Sequence, residues 1–190
     1  YTLSYNVSDT ANNAAQTKTR QVTVQDAAAP VVIAPNNITV AAIDSTGTPN
    51  SNVSIRAFLS GANANDVVDG VVAVTNNAPA IFPIGITTVT FSAVDSANNV
   101  GTAQASVTVS DQTIPLITLS GNTAITLNVG DNYIEPGYSA ADNVEGDVTA
   151  DVIVSGAVDS STVGIYTLSY NVSDTANNAA QTKTRQVTVQ

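Results

Sequence analysis

The chain has 190 residues, 43% of them apolar, with fifteen carboxylates against five basic groups and a net charge of −10. That balance argues against nucleic acid as a partner, because its phosphates would be repelled. With no Cys, disulfides and thiolate metal sites are excluded; with no His, zinc binding and general-base catalysis lose their usual residue; hard oxygen donors remain, and they suit calcium. Val, Ile and Thr dominate, which favours strands. No apolar run approaches the roughly 20 residues of a membrane helix, so no membrane insertion is expected within this segment.

Residues 1–25, YTLSYNVSDTANNAAQTKTRQVTVQ, recur letter for letter at 166–190. The period is therefore 165 residues, from Tyr1 to Tyr166, and the chain reads as one full period of a tandem array with a short overlap into the neighbouring one. Within 1–25, Leu3, Tyr5 and Val7 alternate with polar residues, Asp9 to Asn13 form a turn, and Val22 and Val24 close a second strand. A lone hairpin is marginal in water, so these residues are expected to be the C-terminal hairpin of a preceding repeat, or to pair with another chain.

Asp26 to Pro30 form a short connector into residues 26–111. Val31 to Ala42 is broken at Pro35-Asn36-Asn37, and a second apolar stretch runs from Val53 to Leu59. The acidic loop Ala64 to Gly70 precedes a strand from Val71, and Val89, Phe91 and Ala93 share one face of a later one. Asp95-Ser96-Ala97-Asn98-Asn99 turns it back into Ala103 to Val109, with Asn suited to a left-handed turn conformation. Residues 112–190 repeat this grammar. A second connector, Asp111 to Pro115, leads in; the acidic loop is Asp142 to Asp147; and Leu168, Tyr170, Val172 and Asp174 align with Val89, Phe91, Ala93 and Asp95. Short strands at this spacing, without helical periodicity, predict an all-β fold: tandem immunoglobulin-like β-sandwiches of about seven strands each, in an elongated array.

Residues 26–111 resemble a hyalin repeat (HYR) domain, through Asp26…Pro30, Pro35 to Val40, and Phe82-Pro83-Ile84-Gly85-Ile86-Thr87-Thr88-Val89 running into Asp95 to Asn99. Residues 112–190 resemble the bacterial Ig-like domain first described in a pesticidal crystal protein, through Pro115 to Leu119, Gly130-Asp131-Asn132-Tyr133, Pro136-Gly137, Asp142 to Asp147 and Gly164 to Tyr170. The resemblance implies adhesion and spacing, not catalysis, in a bacterial surface or extracellular protein. The cysteine pair of many animal HYR domains is missing, which points to a bacterial stalk.

In an Ig-like sandwich the start of the first strand, the loop between the second and third strands, and the last hairpin turn lie at one pole. That gathers Asp26, Asp66, Asp69 and Asp95 in one domain, and Asp111, Asp142, Glu145, Asp147 and Asp174 in the next. Carboxylates held close repel unless a cation sits among them, and Ca2+ takes six to eight oxygens in flexible geometry. The competing reading is that these side chains only cap turns. The expected function is thus a non-enzymatic, calcium-stiffened stalk or spacer of a surface adhesin, whose partners are neighbouring repeats of the same protein. The alternatives are a self-assembling filament, in which residues 1–25 add to another copy of the chain, and a carbohydrate-binding accessory module of a secreted enzyme.

Overall fold

The computed structural model describes residues 1–190, and its regular structure is strand apart from one helix and one 3-10 turn. In chain order, β1 (Thr2–Tyr5) and β2 (Lys18–Gln21) make the first hairpin, and β3 (Val31–Ile33) and β4 (Ile38–Ala41) follow on either side of Pro35. Short elements come next: β5 (Thr48–Pro49), α1 (Val53–Ser60), β6 (Asn63–Asp66), β7 (Gly70–Val72), β8 (Val74–Asn76) and β9 (Ile81–Phe82). The long pair β10 (Gly85–Val94) and β11 (Val100–Ser110) completes the first half. The second half holds β12 (Leu116–Leu119), β13 (Ala124–Leu127), β14 (Tyr138–Asp142), β15 (Gly146–Asp147), the 3-10 turn Thr149–Asp151, β16 (Ile153–Ser155), β17 (Gly164–Asn171) and β18 (Lys183–Val189).

The chain folds as two compact units. The first comprises Tyr1–Ile33, Ala62–Thr75 and Phe91–Ala103. Its sheet β3-β6-β7 is antiparallel, with Val32 opposite Ala64 and Ala64 opposite Val72. Ala64, Phe91 and Ala93 are buried. Gly101 lies so close to the connector that a Cβ there would fall 1.8 Å from the Pro30 carbonyl oxygen, so only glycine lets the connector lie against β11. Asn98 at the β10–β11 turn has φ 68°, the left-handed conformation that Asn tolerates; Asn12 and Asn177 repeat it. The hairpin β1–β2 is a two-stranded sheet with Leu3 opposite Arg20, and its apolar side chains are exposed. Its second strand stops at Gln21, short of the expected Val22 and Val24. In the identical C-terminal copy β18 continues through Val187 and Val189, where it pairs with β13 on one side and with Gly164 to Tyr166 of β17 on the other.

The second unit comprises Ala34–Gly61, Asn76–Thr90 and Gln104–Gln190. In it β4 lies parallel to β11, Ile38 opposite Val107, and β5 pairs with β9. The stretch Val53 to Leu59, expected within an all-strand scheme, is instead the helix α1. The Asn52 side chain caps it by accepting the amides of Ser54 at 2.9 Å and Ile55 at 3.4 Å. Ile55 and Phe58, three apart, bury one face. Two turns offer only two core positions, too short a pattern to stand out as helical periodicity.

The same unit contains a complete seven-stranded Ig-like sandwich, with sheets β12-β14-β15 and β13-β18-β17-β16. The chain leaves the first sheet after β12, turns at Gly121 with φ 69°, and joins the second by laying β13 parallel to β18. Between the sheets, Ile117, Ala140, Val148, Val152, Leu168, Tyr170 and Val172 form the core, with Leu119, Tyr133 and Tyr138 packed against it. Each such large side chain contributes roughly 1.5–3 kcal/mol on full burial. Alternation places Leu168 and Tyr170 of β17, and Arg185, Val187 and Val189 of β18, inward at every second position.

Candidate metal centres

Two groups of carboxylates meet at the acidic turns. In the first unit one oxygen each from Asp26, Asp66 and Asp95 lie within 4.8 Å of one another. In the second unit Asp111, Asp142, Glu145 and Asp174 meet by the same measure. Each group draws on a connector, the turn after a central strand, and the last hairpin turn.

In five of the seven residues the turns hold the carboxylate by one oxygen and leave the other, whereas Asp95 and Asp174 use both. Asp66, 3% exposed, closes β6; its Oδ1 accepts the amides of Val68 at 2.7 Å and Asp69 at 3.0 Å. Those amides, Asp69 first, hold the carboxyl below its ordinary value. Its Oδ2 is buried without a hydrogen-bond partner. Asp26 behaves alike, accepting the Ala28 amide at 3.0 Å on Oδ1 while Oδ2 has no partner. Asp95 accepts the amide and the side-chain amide of Asn99, both at 2.7 Å. The same Asn99 amide group reaches the Asp26 carbonyl at 3.3 Å, tying connector to turn.

The second group is built on the same plan. Asp142, 9% exposed, accepts the amides of Val144 at 2.7 Å and Glu145 at 3.3 Å, and its Oδ2 is without a partner. Burial pushes its carboxyl up, but the Val144 amide and the hydrogen bonds from Glu145 and Asn143 outweigh this and hold it below the ordinary value. Asp111 takes the Thr113 amide at 3.0 Å on Oδ1 and leaves Oδ2 free. Asp174 accepts Asn178 twice, at 2.7 and 2.8 Å.

Two of the residues expected at these poles stand outside the groups. Asp147, two residues before Thr149, accepts the Thr149 amide at 2.9 Å at the start of the 3-10 turn. Asp69 spends both oxygens on Ser96, accepting its amide at 2.6 Å and its hydroxyl at 2.9 Å. Glu145 occupies the corresponding position in the second unit and makes the corresponding strap, but through one atom. Its Oε1 accepts both the amide and the hydroxyl of Thr175, and Oε2 is left buried and unpaired. The longer side chain therefore adds a fourth carboxylate oxygen where Asp69 adds none.

Asn143, not singled out in the sequence, carries a further buried oxygen without a partner. Its side-chain amide donates to the carbonyls of Ala42 and Ile43, both at 3.1 Å, and its Oδ1 is left over. The signal was its place between Asp142 and Glu145. Buried acceptors without donors are costly. A set made only of oxygens, with the Asp66 and Asp142 carboxyls held below their ordinary values, fits a hard divalent cation and not a thiophilic or imidazole-bound one.

Residues 25–109 match the family described as HYR domain, and residues 117–189 match the family described as Bacterial surface protein, Ig-like domain. HYR and Ig-like domains are non-catalytic repeat modules. Among solved structures, the lipoprotein BT2262 from Bacteroides thetaiotaomicron is 37% identical over 40% of this chain and 37% of its own length, with a TM-score of 0.36. The M60 catalytic domain with its CBM51 domains from Clostridium perfringens ZmpB is 11% identical over 98% of this chain and 33% of its own, with a TM-score of 0.46. The protocadherin gamma B4 extracellular domain is 8% identical over 99% and 42%, with a TM-score of 0.39. The chain thus spans well under two thirds of each of these structures. No curated protein matches it. No helix is long and apolar enough to cross a membrane.

Proposed function

From a chain that is a tandem of an HYR domain and a bacterial surface Ig-like domain, we propose a structural segment of an extracellular bacterial protein, a stalk or spacer of a surface adhesin whose junctions bind calcium. Residues 1–25, 26–111 and 112–190 are then the closing hairpin of a preceding repeat and two successive domains. Each domain contributes length, and each connector carboxylate, Asp26 or Asp111, becomes one ligand of a cation that also holds two turns of the domain it enters. A metal bridging these three places removes the freedom of the connector, which is how an array of small domains gains stiffness.

The observation that carries this reading is the set of buried carboxylate oxygens with no hydrogen-bond donor: Asp26, Asp66, Asp111 and Asp142 Oδ2, and Glu145 Oε2. Turn capping alone uses the other oxygen of each residue and leaves these uncompensated. Calorimetric titration of the metal-free chain with calcium tests it. Heat of binding, with a melting temperature that rises in calcium and returns with chelator, is the expected result. No heat and no chelator effect would end the calcium reading and leave turn capping.

A further inference from the structure

Asn143 stands between two members of the second carboxylate group, Asp142 and Glu145, and reaches out of the Ig-like domain. Its side-chain amide donates to the carbonyls of Ala42 and Ile43, both at 3.1 Å and both in the HYR domain. Its Oδ1 is buried without a donor. Ala42 is buried in turn, and its own amide donates to the Ser110 carbonyl at 2.9 Å. Ser110 immediately precedes Asp111, the connector carboxylate of the same group. These contacts run from Asp142 and Glu145 through Asn143, Ala42 and Ser110 to Asp111, and stop one link short of a ring. The open link lies between the carboxylate of Asp111 and those of Asp142 and Glu145, whose oxygens are within 4.8 Å of one another. Asp142 is only 9% exposed there, and its Oδ2 has no partner. Like charges held so close push connector and turn apart, whereas a divalent cation among them draws the two together. The first group lacks this arrangement. Val67 follows Asp66 as Asn143 follows Asp142, and its side chain can neither donate nor accept a hydrogen bond.

We propose that Asn143 is a positioning residue that couples the second cation site to the domain before it, an inference that rests on the calcium reading. A divalent cation held by Asp111, Asp142, Glu145 and Asp174 closes the ring. It fixes the turn from Asp142 to Glu145, and with it the Asn143 amide on Ala42 and Ile43. Cation and clamp then stabilise each other reciprocally, each strengthening the other by the same factor. The first site holds connector and turns alone, because Val67 offers no such hold. An array of these domains therefore contains two kinds of junction. In one the cation also locks the preceding domain through an asparagine; in the other it does not.

The test uses the full chain, which contains no cysteine, with nitroxide labels at the exposed positions Ser51→Cys and Thr126→Cys. Pulsed electron double resonance reads the distance distribution between the labels, and calorimetry of the same chain reads calcium binding. Calcium is expected to narrow the distribution and chelator to broaden it. With Asn143→Ala the distribution is expected to stay broad in saturating calcium, and affinity at one site to fall about fivefold or more. Asn143→Asp keeps a side-chain oxygen and adds a charge, but has no donor for the two carbonyls. It is expected to stay broad as well, while binding calcium no more weakly than Asn143→Ala. Both variants are expected to melt cooperatively in chelator, as the wild type does. No heat with calcium in the wild type overturns the calcium reading and the coupling with it. Heat with calcium, but the same distribution in wild type and Asn143→Ala, overturns the coupling and leaves the calcium reading standing.

Discussion

Tyr5 and Tyr170 occupy the same position of the same 25-residue sequence, yet Tyr5 is 52% exposed and Tyr170 is 0% exposed. The strands that cover Tyr170, and the Glu135 carboxylate that takes its hydroxyl, are not arranged around Tyr5. Tyr170→Ala is therefore expected to cost about 3–5 kcal/mol, the range for truncating a buried aromatic side chain. Tyr5→Ala is expected to change stability by no more than about 0.5 kcal/mol. Urea unfolding of the two variants beside the wild type measures both; equal losses would refute the contrast.

Glu135 is the point where Arg185, Tyr133, Tyr170 and the Gly137 amide converge. Burial pushes its carboxyl up, but these donors and the Arg185 charge outweigh it and hold the carboxyl below the ordinary value of 4.5. A carboxylate whose folded value is depressed stabilises the fold above its unfolded value, and that stability is lost as pH falls through the folded one. Asp66 and Asp142 act in the same sense. Stability measured in urea is thus expected to be flat near neutrality and to fall once pH drops below about 4.5. Glu135→Gln is expected to lose about 2–3 kcal/mol at pH 7 by leaving Arg185 buried without its counter-charge, and to show a shallower acid loss. The low end applies because Glu135 is itself 30% exposed.

The two carboxylate groups can be addressed separately. Asp142→Asn keeps the turn, since an amide oxygen still accepts the Val144 N–H, but removes the charge from the second group. On the proposed calcium reading it lowers affinity there about tenfold or more and leaves the first group unaffected, since ligands of a hard cation act through their charge. Asp66→Asn should do the reverse. Asp69→Asn and Asp147→Asn, whose carboxylates are spent on Ser96 and Thr149, should leave both affinities within about twofold of wild type. Calorimetry of the four variants decides it, and a loss in Asp147→Asn as large as in Asp142→Asn would show that the grouping is wrong.

Much of the architecture is legible in the amino-acid order, because it is written in local patterns. Alternation along Val89, Phe91 and Ala93 and along Leu168, Tyr170 and Val172 marks inward faces, and the fold buries all six. The Asp-x-x-Asn-Asn turns announce a left-handed residue, and Asn12, Asn98 and Asn177 adopt it. The helix α1 escapes this reading, since two turns with two buried residues differ little from a short strand.

By itself the sequence determined the 165-residue period, the all-β class and the acidic turns, since each rests on neighbours along the chain. Tertiary structure alone decided which carboxylates meet. Asp69 and Glu145 hold equivalent places in sequence, and a single methylene decides whether an oxygen is spent on a strap or left within the group. It alone decided, too, that Arg185 is buried on Glu135, fifty residues away, while the same arginine at Arg20 lies open. Identical residues met different surroundings, and burial is a property of surroundings.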